Sequence, residues 1–581
     1  MKRVFRHFIP ASTRRLLPNR WDLIAMPLVI GFLLFFSIGA RETWAPIATL
    51  QSSVVSLDPA NLPEYAMRTI LRMLAAMVAA LLFTLLYGTL AAKSRRAEKL
   101  LVPVLDILQS VPVLGYISFT VTFFLLLFPG RVLGAEFAAI FAIFTSQAWN
   151  MTFSFYQSLR MLPRDLVEVS TNLQLSGWQK FWKLDVPFAM PGLIWNMMMS
   201  MSGGWFFVVA SEAITVGDQT ITLPGIGSYL ALAIAQQNMH AVGYVILTMI
   251  VVILIYDQFL FRPLVAWADK FRMENTASQT AAPESWVLKL VQRTRMIQRI
   301  LRPFARIISR LGNMRLNLPR SARKAISSES PATAKTIDWI WGSLIAVLTA
   351  YALYHIVLYV GTEVTLGEVG HVFLMGFFTL LRVAGLIFIA SLVWVPLGVM
   401  IGLRPALAEK IQPLAQFLAA FPANLLFPVF VIVILRYQLN PDIWLSPLIV
   451  LGTQWYILFN VIAGASAFPN DYKEAATNFR IRGWLWWRKV MLPGIFPYYV
   501  TGAITASGGA WNASIVSEFV SWGQEKVVAH GLGAYIAETT AAGDFPKITL
   551  GVVVMSFFVV AFNRLVWRPM YAMAENKLRL N

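Results

Sequence analysis

The side chains with the most chemical capacity in this chain sit in a phrase that occurs twice. Residues 471–497 read DYKEAATNFRIRGWLWWRKVMLPGIFP, and residues 165–191 read DLVEVSTNLQLSGWQKFWKLDVPFAMP. Each copy opens with two acids three residues apart, Asp471 and Glu474 or Asp165 and Glu168, which places them on one helix face. A glycine follows (Gly483 or Gly177), then a basic, tryptophan-bearing stretch, then Pro493 or Pro187. Exposed acids on a short helix with a small-residue face, such as Ala475 and Ala476, suit ion pairing with a docked partner. Two more acids, Glu212 and Glu518, close long apolar segments. Ionisable groups there are costly and often functional. With Trp205, Trp511 and Asn512 one to two turns before them, they are candidates for a translocation path. The competing reading makes them caps for the glycine-bearing loops that follow. Catalytic chemistry has little support: there is no cysteine, the five histidines show no metal-ligand spacing, and no Gly-Lys pair exists to begin a phosphate-binding loop.

The elements that must position these residues are apolar. Hydrophobic residues make up 57% of the 581 and charged residues 13%, with a mean hydropathy of +0.63. That charged share is about half of what soluble domains carry. A bilayer-crossing helix needs roughly 20 mostly apolar residues. The first half offers six such segments, near 22–40, 70–92, 102–128, 133–157, 191–212 and 240–262. The second offers six more, near 338–360, 373–402, 413–436, 442–465, 497–518 and 546–567. The net charge of +19 is concentrated in residues 1–20 (+6), 263–337 (+10) and 563–581 (+3). Those segments flank apolar spans, which is the positive-inside signature and not a nucleic-acid-binding face. The expectation is an all-α polytopic membrane protein of about twelve helices with both termini in the cytoplasm.

The two halves are a tandem repeat. At an offset of 306, Asp165, Glu168, Gly177, Pro187, Trp205, Glu212, Gly225 and Gly227 match Asp471, Glu474, Gly483, Pro493, Trp511, Glu518, Gly531 and Gly533. Upstream the offset is 310, pairing Arg72 with Arg382 and Pro112 with Pro422. Six helices per copy give both copies the same membrane orientation, about an axis along the membrane normal. The divisions read as a basic N-terminus (1–20), a first repeat (21–262), a basic linker (263–337), a second repeat (338–568) and a tail (569–581). Within the linker, residues 273–285 read as disordered. Ile297, Leu301, Phe304, Ile308 and Leu311 then alternate with arginines at helical spacing, with Pro303 as a point of kinking. That pattern fits a helix on an anionic membrane surface or a solvated tether. In the repeated phrase, Gly483 is expected to end the acidic helix.

The spacing Glu474-Ala475-Ala476, then Val490, Leu492 and Pro493, resembles the EAA loop of ATP-binding-cassette importer permeases. The stretches LAAFPANLLFPVF and ASGGAWNASIVSEFVSWGQEKVVAHGLGAYI further resemble the nitrate/sulfonate/taurine-type branch. The chain looks like two type I permeases fused, each of six helices. The resemblance implies two coupling helices that seat on separate ATPase subunits, in two copies, with ATP and magnesium held there and no cofactor on this chain. It also implies a periplasmic binding protein, a bacterial inner-membrane location and a small anion as cargo. The pattern is imperfect. The motif glycine falls at Arg480 and Gln174, and the first copy has Val169-Ser170 for the two alanines. Rival readings are a secondary transporter with parallel repeats, or a membrane scaffold or sensor subunit that does not transport.

Overall fold

A computed structural model describes residues 55–216, 219–271, 285–316, 331–466 and 468–577, together with Asp22, Pro27, Ile30 and Gly31. The basic N-terminus, nearly all of the first apolar segment (22–40) and the linker stretch expected to be disordered lie outside these residues.

The first repeat begins with α1 (Leu62–Lys93), then α2 (Arg95–Ser110), α3 (Val113–Leu127) and α4 (Val132–Arg160). Short helices α5 (Arg164–Asn172) and α6 (Gly177–Lys180) make the first elbow and lead into α7 (Val186–Ser211). A small hairpin follows, β1 (Ala213–Val216) with β2 (Gln219–Thr222), then α8 (Ile226–Ala235), α9 (Met239–Tyr256) and α10 (Arg262–Ala268). The linker supplies α11 (Trp286–Arg293) and α12 (Arg295–Asn313), the latter running through Pro303. The second repeat has α13 (Pro331–Gly361), α14 (Leu366–Gly402), α15 (Pro405–Ala420), α16 (Phe427–Tyr437), α17 (Pro441–Trp444), α18 (Ser446–Leu451) and α19 (Trp455–Ser466). Its elbow is α20 (Asn470–Asn478) with α21 (Gly483–Trp486), followed by α22 (Leu492–Ser517). The hairpin β3 (Phe519–Trp522) with β4 (Glu525–Val528), then α23 (Leu532–Ala542), α24 (Phe545–Phe562) and α25 (Arg568–Lys577), complete it.

Among the described residues seven helices are long and apolar enough to span a bilayer, or up to nine if each bent pair is one span. The sequence expected unbroken segments at 102–128, 413–436 and 442–465. All three are divided, the first two at prolines and the third at residues 452–454, which contain none. Pro112 separates α2 from α3. A 73° bend separates α15 from the helix that follows Pro422, and a 46° bend separates α18 from α19. Helix α22, at 26 residues, is long enough at about 1.5 Å per residue but is not among the seven, its apolar character diluted by prolines, glycines and hydroxyl residues.

Four single-turn π-helices break the α-helical register, at Phe181–Asp185, Asp257–Phe261, Trp487–Met491 and Asn563–Trp567. They pair at the offset of 306. Such π-turns cluster at functional positions because they re-aim side chains without ending a helix. Here two form the elbow roots and two carry cavity-lining residues.

The halves pack about each other through reciprocal polar contacts. Asn512 Oδ1 accepts from Val113 N at 2.7 Å, and Asn424 Nδ2 donates to the Phe206 carbonyl at 3.1 Å. The first contact satisfies a backbone N–H freed at the break before α3, and the second ties Asn424, in the break after Pro422, to Phe206 within α7.

Candidate functional site

The two elbows share one backbone. Asp165 and Asp471 lie in the first turn of their helices, and Glu168 and Glu474 one turn on, all four exposed. Both helices end in the same way. Leu175 N donates to the Ser170 carbonyl at 3.1 Å, and Ile481 N donates to the Ala476 carbonyl at 2.9 Å. The residues between, Gln174 and Arg480, take the left-handed conformation with φ of 50° and 53°. This is a Schellman ending, normally reserved for glycine because a Cβ crowds the carbonyl there. It corrects the expectation that Gly483 ends the helix: Arg480 does, and Gly483, with φ of 58°, opens α21. Gly177 opens α6 behind a Ser176/Gln179 capping box. Ala476 and Ser170 are buried against their own chain, and Ala475 is half-buried. Pro187 and Pro493 stand at the start of α7 and α22.

The elbow surfaces differ. Helix α12 of the linker lies on the first elbow's root, where Trp178 Nε1 donates to the Leu311 carbonyl at 2.6 Å and Gln179 Nε2 to the Asn313 carbonyl at 2.8 Å. An ion pair of 2.7 Å between Lys93 and Asp185 ties the same root to the end of α1. The second elbow's counterpart to Asp185 is the buried Met491, and its Phe479 and Trp484 are 79% and 74% exposed.

At the far ends of α7 and α22 lie two buried ionic nodes. Glu212 accepts from Thr69 Oγ1 (2.7 Å), Arg72 Nη1 (2.7 Å) and Gly227 N (2.6 Å). Arg72 also holds Glu136 through Nε and Nη2 (2.6 and 2.7 Å). In the second repeat Glu518 accepts from Thr379 Oγ1 (2.9 Å), Arg382 Nη1 (3.0 Å) and Gly533 N (2.8 Å). Arg382 Nη2 donates to Asp442 at 2.8 Å, and Asp442 faces His530. The glycines permit this closeness. A Cβ on Gly225 would sit 2.3 Å from the Glu212 carboxylate, and one on Gly531 would sit 2.2 Å from that of Glu518. Glu212 and Glu518 thus hold the glycine-bearing loops. Thr69, Glu136, Thr379 and Asp442 went unread in the sequence, although Thr69 matches Thr379 at the offset of 310 and Glu136 matches Asp442 at 306.

Between the nodes and the elbows, at the interface of the repeats, lies a cavity of about 130 Å³. Asn512 lines it, with Asn150, Ser200, Thr453, Tyr456 and Trp149. It shares Gln109, Asn150, Tyr456, Thr505 and Gly508 with a second, larger cavity of about 550 Å³ toward the elbow side. Neither is lined by Asp or Glu. Trp205 borders a third, smaller space, and Trp511 is buried against Phe558.

Broken helices, paired elbows and a central polar cavity define a duplicated multi-pass membrane protein. Residues 84–261 and 394–573 each match the binding-protein-dependent transport system inner membrane component, together more than half of the chain, and the chain belongs to that family. It is similar to the bicarbonate transport system permease protein CmpB of Synechococcus elongatus (28% identical over 188 residues, 32% of this chain and 64% of the relative). It is also similar to the nitrate import permease protein NrtB of Leptolyngbya laminosa (25% over 188 residues, with the same two shares, 32% and 64%). A third relative is the glycine betaine/proline betaine transport system permease protein ProW of Escherichia coli (28% over 231 residues, 39% and 62%). The chain spans less than two thirds of the length of each of these relatives.

Proposed function

We propose that this chain is the membrane-spanning subunit of an ATP-driven importer for a small solute, with both elbows docking on separate ATPase subunits. The observation that carries this reading is that two elbow helices with the same left-handed ending, each presenting two exposed acids, belong to a body with a polar cavity between its halves. Asp165, Glu168, Asp471 and Glu474 supply the charge that a partner groove meets, Ala475 permits close approach, and Gly177 and Gly483 let the chain turn into the elbow root. The elbows face the cytoplasm with both termini, so the cavity that continues to the elbow side is open inward. The ionic nodes close the outer end. The path runs past Asn512 and not through Glu212 or Glu518, whose carboxylate oxygens are taken by the loops. Cavities lined without acids, and relatives named for bicarbonate and nitrate, support a small anion as cargo. The divisions at 21–262, 263–337 and 338–568 serve as repeat, linker and repeat. ATP and magnesium belong to the partner, and a periplasmic binding protein delivers the solute.

The test is co-purification with a cognate ATPase and ATP-dependent uptake into proteoliposomes. Glu474→Lys is expected to weaken both, because reversing a charge at a docking face is worth several kcal/mol (about 2–5). Uptake and association unchanged by that substitution would refute the coupling role.

A further inference from the structure

The linker between the repeats is helical where it is most basic. From Trp286 to Arg315 it carries eight lysines and arginines and no acid. This stretch runs as a belt beside three apolar segments. Trp286 Nε1 in α11 donates to Gln258 Oε1 at 3.1 Å, and its ring meets that of Phe259 edge-on at 5.5 Å, both residues of the span Met239–Phe271. Met296 N, at the start of α12, donates to Asp22 Oδ1 at 2.8 Å, where the first apolar segment begins. The far end of α12 is held at the root of the first elbow by Trp178 and Gln179. There Gly312 faces the elbow, and a Cβ on it would sit 3.5 Å from that of Trp182.

Those contacts leave much of α12 uncovered. Arg302, Arg306 and Arg310, spaced four apart, form one exposed stripe. Among the described residues no carboxylate pairs with any of the three. Ile307 and Leu311 run beside them at 54% and 48% exposure, and the exposed Met314 and Leu316 continue the apolar edge past the helix end. A tether in water gains nothing from presenting four large apolar side chains, and such a patch marks a surface that something covers. A bilayer surface, anionic at its phosphates and apolar just beneath, suits both stripes at once. The guanidiniums meet the phosphates while the apolar side chains enter the boundary below them. Trp286, half exposed at the other end of the belt, is of the residue type that settles at that boundary.

We propose that this face of α12 docks on a bilayer surface bearing anionic headgroups, and that the linker thereby fastens the first elbow to the membrane. The importer reading sets which leaflet this is, and the proposal rests on it for that alone.

The experiment uses the full chain, which has no cysteine, with Ile307→Cys carrying an environment-sensitive fluorophore. It is placed in nanodiscs of phosphatidylcholine, or of phosphatidylcholine mixed with phosphatidylglycerol, with no ATPase present. Phosphatidylglycerol should blue-shift the emission and cut quenching by neutral acrylamide about twofold or more, and raised salt should reverse both. Thr477→Cys on the second elbow, labelled in the same way, should report water in both discs. Each arginine near an anionic surface is worth about fivefold in partitioning, so Arg302→Gln, Arg306→Gln and Arg310→Gln together should weaken docking about a hundredfold and abolish the shift. All three side chains are exposed, and an unaltered thermal midpoint establishes that the triple variant folds. A probe at 307 that reports water in both discs, a shift indifferent to phosphatidylglycerol, or a shift that survives the triple variant overturns the proposal. So does protection that arises only when an ATPase is added, which assigns the face to a protein. Because neither docking nor its readout involves transport, these results are distinct from a failure of elbow coupling.

Discussion

The first repeat is closed where the second is open. The first elbow is held by the linker helix and by the Lys93–Asp185 pair, whereas the second has a bare aromatic surface and an apolar root. The first node buries Arg72 to 3% and Glu212 to 0%, while its counterpart leaves Asp442 at 36% side-chain exposure beside an exposed His530. The first inner cavity pairs its Arg262 with Asp257, whereas the second has Asn563 in the place of that acid. Duplication within one chain explains how this is tolerated: the backbone is retained in both copies, down to the left-handed residue that ends each elbow helix, while side-chain chemistry diverges.

The largest expected effect compares the nodes. Arg72→Met leaves Glu212 buried without its counterion, a loss of about 3–5 kcal/mol. Arg382→Met should cost less, because water reaches Asp442. Thermal unfolding in detergent measures both, and equal losses would break the contrast between closed and open repeats. Next is coupling. Glu474→Lys should reduce ATP-driven uptake by about tenfold or more, and Glu168→Lys by less, because the linker already holds the first elbow. Proteoliposome uptake with matched protein amounts checks this pair.

A smaller effect tests the shared backbone. Arg480→Gly and Gln174→Gly relieve a left-handed residue and should each stabilise the local fold by about 1 kcal/mol. Slower amide exchange at Ile481 and Leu175 would report it. The smallest effect concerns the linker. Trp178→Phe removes the bond to Leu311 and should speed exchange across residues 295–313, by about 1 kcal/mol or less. Trp484→Phe in the bare elbow should change nothing measurable there.

Much of this was legible in the sequence, for identifiable reasons. Apolar length gave the seven to nine spans found among the described residues, and glycines, prolines and tryptophans at offsets of 306 and 310 gave the repeat. The elbow could be read because its acids, bases and aromatics stand out against an apolar background. The helix end was misread at Gly483 because nothing local announces that an arginine will adopt a left-handed φ. The breaks at Pro112 and Pro422 were hidden by continuous apolar character on both sides. The nodes were invisible as pairs because Arg72 meets acids 64 and 140 residues away. The recurrence of Thr69 and Glu136 at the repeat offsets, beside that of Arg72 and Glu212, carried the signal. The linker's seat on Trp178 could not be read, since it depends on backbone carbonyls that any sequence supplies.

The central claim is that both elbows face the cytoplasm and are covered by an ATPase. The chain has no cysteine, so single Thr171→Cys and Thr477→Cys variants report cleanly from exposed positions on the two elbow helices. A membrane-impermeant maleimide should label both in inverted vesicles and neither in right-side-out vesicles, with labelling suppressed once the ATPase is bound. Labelling from the outer face, or labelling that the bound ATPase leaves unchanged, would contradict the account.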